Sequence, residues 1–108
     1  FGEMFRAGGT WQGMQVVSQE WVTAALMPRT RSFWSRRNYG YGWFLMRIGG
    51  HEIAYGRGYG GQMIYIVPDL SLSVAITSDP NRPARSDGHV GDLHDLMRDH
   101  ILPEAETA

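Results

Sequence analysis

The densest run of chemically useful backbone in this 108-residue chain is Gly56-Arg57-Gly58-Tyr59-Gly60-Gly61-Gln62. Glycines in a strand-like stretch permit positive φ and let a ligand approach main-chain N–H groups closely. As a phosphate loop the run fails twice: it holds no lysine, and it leads into a strand instead of a helix N-terminus. A single Arg-Gly copy inside an apolar sheet also fails as an RNA-binding repeat. The residues themselves leave two readings, a bulged hairpin bend or a bend that offers main-chain donors to a substrate. Arg57 can pair with an acid such as Glu52, or grip a carboxylate with its planar guanidinium.

A second cluster joins His89, His94 and His100 to Asp92, Asp95 and Asp99. Metal-binding pairs on a helix need i, i+3 or i, i+4 spacing, and no two of these histidines have it. His94 and Arg98, at i, i+4, read as a solvated helix face. His51, just after Gly49-Gly50, reads as an exposed hairpin residue. Neither a metal site nor any cofactor is expected.

Composition narrows the chemistry further. All ten basic residues are arginine, so this polypeptide carries no lysine base, Schiff base or P-loop lysine. Without cysteine there is no thiolate nucleophile, disulfide or thiolate metal site. Ten basic residues against eleven acidic ones give a net charge of −1, which removes the electrostatic case for nucleic acid or anionic lipid. The apolar runs are too short for a membrane span. An apolar content of 43% over this length suits one globular domain, residues 1–103, with a frayed tail at 104–108.

The elements that must hold the glycine run follow from periodicity. Phe1, Met4 and Phe5 have the spacing of a helix end, closed by Gly8-Gly9, and the opening at Phe1 suggests a piece of a longer protein. Ser18 is the expected N-cap of a helix over 18–27, with Val17 and Val22 as a hydrophobic staple and Pro28 as its stop. Four strands then follow as a meander: 39–48, 51–56, 62–67 and 71–77, with Gly49-Gly50 as a two-residue turn. In the last strand Ser71, Ser73, Ala75 and Thr77 form a small-residue face that a helix can approach closely. Val90, Leu93, Met97 and Ile101 predict a final helix ended by Pro103. Trp43, Tyr41, Tyr55 and Tyr65 are expected in the core, while Trp34, Asn81, Arg82 and Arg85 fall in loops open to a substrate or partner. The fold class is α+β, an antiparallel sheet of about four strands packed with N- and C-terminal helices. Two helices are too few to cover such a sheet, so more cover is expected from upstream chain or a partner.

The order Gly-Gly-Thr-Trp-Gln-Gly (8–13), Val-Val-Ser-Gln-Glu-Trp-Val (16–22), Tyr-Gly-Tyr-Gly-Trp (39–43), Arg-Gly-Tyr-Gly-Gly-Gln (57–62) and Ile-Val-Pro-Asp-Leu (66–70) spans nearly the whole chain. It resembles the C-terminal part of the serine β-lactamase-like family, which includes penicillin-binding proteins, class C β-lactamases, related esterases and 6-aminohexanoate-dimer hydrolases. The resemblance implies a β-lactamase/transpeptidase-like fold and a serine nucleophile in a Ser-x-x-Lys motif. That motif and its Tyr-x-Asn partner would lie upstream, in the remainder of the parent chain.

The resemblance places the family's Lys-Thr-Gly or His-Thr-Gly triplet on Gly56-Arg57-Gly58. The Tyr59 N–H then becomes one oxyanion-hole donor, with Gly56, Arg57, Gly58, Gly60, Gly61 and Gln62 along the substrate edge. Gly56 replaces the Lys or His and Arg57 replaces the Thr, which argues against β-lactam hydrolysis and for a small-molecule ester or amide substrate. The implied function is the C-terminal segment of a serine hydrolase working through an acyl-enzyme. The alternatives are a noncatalytic protein- or peptide-binding module of the same fold, or a small domain that dimerises to cover its sheet. Localisation is left open.

Overall fold

The strands of the main sheet pair in the order in which the chain makes them, and helices pack on both faces of it. The computed structural model describes residues 1–31, 37–79 and 89–107. Helix α1 (Gly2–Arg6) ends where Gly8 and Gly9 take φ of 72° and 94°, and the Gly9 N–H donates to the Met4 carbonyl at 2.8 Å. A small hairpin of β1 (Thr10–Trp11) and β2 (Met14–Gln15) fills the connector before α2 (Gln19–Ala25). The Ser18 hydroxyl accepts from the Trp21 N–H at 3.1 Å, the expected N-cap, and such a cap contributes about 1 kcal/mol. Val17 and Val22 share one apolar cluster, as a staple requires.

Six strands then run in sequence and pair in sequence, all antiparallel: β3 (Thr30–Arg31), β4 (Asn38–Tyr39), β5 (Phe44–Ile48), β6 (His51–Gly58), β7 (Gln62–Val67) and β8 (Leu72–Ile76). Gly49 and Gly50 have φ of 57° and 87°, the two positive values that a tight turn between twisted strands needs. The Arg47–Glu52 ion pair beside this turn is well exposed, so it adds little, and the turn geometry sets the register.

The long strand expected over 39–48 is two strands, because the chain breaks at Gly40–Trp43. The Gly40 N–H donates to the Trp43 carbonyl at 2.8 Å and the Tyr41 N–H to the Ala25 carbonyl at 2.9 Å. A Cβ on Gly40 would stand 2.0 Å from the Ala25 oxygen, so only glycine lets the end of α2 dock here. Tyr41 is swung out of the core by the same break. It lies half-exposed, stacked on Trp21 at 5.4 Å with the Arg29 guanidinium 4.9 Å from its ring.

The C-terminal helix begins as α3 (His89–Leu96), widens to a π-helical turn at Met97–Ile101 and continues as α4 (Leu102–Glu106). Pro103 therefore does not end it. A proline lacks an N–H and its ring collides with the carbonyl four residues back, and a widened turn relieves both conflicts. The expected frayed tail is accordingly helical through Glu106.

Side-chain parity sorts the core into two layers. Ile53, Tyr55, Met63, Tyr65 and Val67 meet Leu93, Met97 and Leu102 on one face of the sheet. Ala54 and Ile66, with Leu45 and Ile64 packed beside them, meet Phe5, Val22 and Ala25 on the other. The small-residue face of β8 does admit a helix: Ser73 donates to Glu3 of α1 at 2.9 Å, and a Cβ on Gly2 would come 2.6 Å from Ile64. The central strands thus carry helices of this same chain on both faces, where part of that cover was expected from upstream chain or a partner. Trp34, Asn81, Arg82 and Arg85 lie outside the described residues.

Gly40→Ala should lower stability by about 1–3 kcal/mol, the usual cost of forcing atoms into a filled space. Gly91→Ala, at an exposed helix position with open space around it, should raise stability by roughly 0.5–1 kcal/mol. Urea midpoints of the two variants measure both signs, and equal midpoints would contradict the proposed docking of α2.

Candidate functional site

The glycine run forms the end of the β6–β7 hairpin. Gly56, Arg57 and Gly58 close β6, Tyr59–Gly61 make the turn, and Gln62 opens β7 opposite Gly58. Gly60 and Gly61 hold φ of 82° and 92°, which an L side chain adopts only with strain. The Gly61 N–H donates back to the Gly58 carbonyl at 3.3 Å. Tyr59 lies beyond the last paired residues of the ladder, with 71% of its surface exposed.

The tip is tied to the rest of the sheet. Gln62 donates through Nε2 to the Ser78 carbonyl at 2.6 Å and accepts from the Ser78 N–H at 3.1 Å. The Ser78 hydroxyl donates to the Gly61 carbonyl at 2.9 Å. Gln62 therefore uses both ends of its amide to clamp the exit of β8 against the turn, and its contribution to the site is to hold the backbone still. A Cβ on Gly58 would lie 3.1 Å from that of Gln62, so this clamp leaves little space for a side chain there. A Cβ on Gly56 would make only an ordinary contact with Trp43 at 3.9 Å.

Arg57 shares a sheet face with Tyr55, under the C-terminal helix, and is itself exposed. Glu52, its expected partner, lies at the opposite parity and pairs with Arg47 at 3.4 Å. The positive charges of Arg57 and Arg37 instead reach Tyr55 and His94. Tyr55 and Tyr65 stand directly opposite one another in the ladder. The Tyr65 hydroxyl and His94 Nδ1 are hydrogen-bonded at 2.9 Å, and the Tyr55 ring meets the His94 ring edge-on at 4.9 Å.

Burial dominates the electrostatics of this group. It lifts Tyr65 well above the ordinary phenol range, with the neighbouring Tyr55 adding to the effect. Burial, with Arg37 and Arg57, holds His94 down at about 4 against the opposing pull of Asp95, so the imidazole is neutral near pH 7. Tyr65 is fully buried, so no substrate reaches its oxygen and the Tyr65–His94 pair props up the hairpin from beneath. His94 is thus a packed residue instead of part of a solvated face; Arg98 turns away to Asp95 and Asp99 at 3.2 and 2.9 Å.

Two other features lie apart from the glycine tip. A groove of about 460 Å³ beside α2 is lined by Leu26, Pro28, Leu45, Ala54 and Ile66, among others. It lies on the opposite sheet face from Arg57, and no residue of Gly56–Gln62 lines it. His51, expected to be exposed, has only 14% of its side chain accessible and bonds to Asp69 and Glu106. Both histidine environments had a sequence signal: His94 lies on the helical stripe of Val90, Met97 and Ile101, and His51 has the strand parity of Ile53 and Tyr55. Among the described residues no helix is long and apolar enough to cross a membrane.

Comparison with protein-family models and with curated proteins finds no match to this chain.

The His94 environment predicts a pH dependence. An unfolded histidine binds a proton near pH 6.5 while folded His94 resists it until about pH 4, so stability is complete above pH 6.5 and falls as pH drops between those values. Urea unfolding from pH 7 to 4.5 should show that decline, and His94→Gln should flatten it. An unchanged slope in the variant would contradict the buried neutral imidazole.

Proposed function

We propose that this chain is the C-terminal segment of a serine hydrolase that acts through an acyl-enzyme on small ester or amide substrates. The observation that carries the reading is the β6–β7 tip: a main-chain turn clamped to the end of β8 through Gln62 and Ser78, with Tyr59 at its exposed end. The resemblance of the five segments, and the order helix, antiparallel sheet, helix, support the same reading and a β-lactamase-like fold.

In this reading the serine, and the lysine that activates it, belong to the remainder of the parent chain. The Tyr59 N–H pairs with the nucleophile's own N–H to receive the carbonyl oxygen as it becomes negative. A main-chain donor on a clamped turn costs no reorganisation at that moment. Losing one such donor removes about 3 kcal/mol of transition-state stabilisation, or two to three powers of ten in rate. Arg57 lines the substrate edge beside it, with Gly56, Gly58, Gly60 and Gly61 leaving the backbone open to approach. Gly56 and Arg57 in place of the family's Lys or His and Thr favour esters and simple amides over β-lactams.

The expected outcome is an inert 108-residue chain and a longer parent protein that a fluorophosphonate probe labels at its serine. In that parent, Tyr59→Pro, which deletes the N–H, should lower kcat about 100-fold, while Tyr59→Ala retains most activity. Labelling of the short chain, or equal activity of the two variants, would contradict the assignment. An upstream sequence without the serine and lysine would also contradict it, leaving the peptide-binding alternative in which the β8 edge pairs with an extended segment.

A further inference from the structure

At the end of β6 opposite the glycine tip, three segments distant in sequence meet on one imidazole. His51 opens β6, Asp69 lies in the 3₁₀ turn Pro68–Leu70, and Glu106 closes α4. His51 Nδ1 stands 3.2 Å from an Asp69 carboxylate oxygen, and Nε2 stands 2.7 Å from a Glu106 carboxylate oxygen. The carboxylates occupy opposite edges of the ring, so one metal ion could not gather all three side chains. They are placed to take two N–H bonds from an imidazolium.

We propose that His51 is a proton-operated latch that fastens the last turn of the C-terminal helix to the sheet. Protonated, the ring donates to both carboxylates. Neutral, it has one N–H, so one carboxylate faces a nitrogen lone pair and that tie is lost. What the latch pins is specific: Leu102, fully buried, packs over the β5–β6 turn, 3.6 Å from where a Gly49 Cβ would stand. Deprotonation therefore loosens α4 over the Ile48, Ile53 and Leu102 end of the core.

The charge environment supports this assignment. The hydrogen bond to Glu106, then that to Asp69, outweigh the opposing effect of burial and raise His51 above its ordinary value. From the adjoining hairpin, Arg47 and Glu52 engage one another, and Arg47 also donates to the Gly50 carbonyl at 2.7 Å. The sign follows directly: a raised value means the tie is complete below pH 6.5 and is lost as pH climbs through the raised value.

Amide hydrogen exchange on the full chain, corrected for intrinsic base catalysis and followed from pH 6 to pH 9, tests the latch. The Ala105–Thr107 amides should lose protection several-fold over that range while Tyr65 and Ile66 in β7 do not. Glu106→Gln, at a half-exposed position, and His51→Gln should both abolish the step. Equal protection at both ends of the range, the same step in either variant, or a His51 ring that titrates at or below pH 6.5 by NMR would overturn the proposal.

Discussion

Everything in this molecule is referred to the register of β6 against β7. The pairing of Tyr55 with Tyr65 assigns Ile53, Tyr55, Met63, Tyr65 and Val67 to the C-terminal helix, and Ala54, Ile64 and Ile66 to α1 and α2. A slip of one residue would exchange those faces, bringing the Tyr55 and Tyr65 rings onto positions against α1 and α2 that Ala54 and Ile66 now fill. The turn that fixes the register is also the proposed functional element. Gly60 and Gly61 take the conformation that closes it, and the Gln62–Ser78 clamp extends its rigidity to β8. The order of the sheet and the rigidity of the proposed donor thus have one source.

The two ends of β6 use histidine in opposite ways. At the glycine end, burial and two arginines keep His94 neutral beneath the hairpin, which suits a packed polar prop beside two guanidinium groups. At the other end, two carboxylates favour the charged form of His51. A single helix contacts both, through α3 at one end and α4 at the other. The π-helical turn between them lets that helix pass Pro103 and reach His51 at all.

Much of this was legible in the sequence. Strand parity, the Gly49-Gly50 turn, the Ser18 cap and the small-residue face of β8 all follow from local rules, and the structure agrees with each. Where the reading departed from the structure, the cause was non-local. The break at Gly40 depends on how closely α2 approaches, and helix continuation past Pro103 depends on a widened turn that no residue spacing announces. Tyr41 left the core because of that break. From sequence Glu106 falls in a frayed tail, so the strand parity of His51 is plain while the carboxylate that meets it is not. The proposed site was legible as a glycine-rich bend, but its rigidity comes from Ser78, sixteen residues away from Gln62.

The central claim is that the hairpin tip lends a main-chain donor to an acyl group held elsewhere. A crystal structure of the parent protein trapped as an acyl-serine adduct tests it most directly. The account predicts the acyl carbonyl oxygen within about 2.7–3.1 Å of the Tyr59 nitrogen, the span of an oxyanion hydrogen bond. An acyl oxygen held by other donors, with the Tyr59 nitrogen out of hydrogen-bonding range, would contradict it.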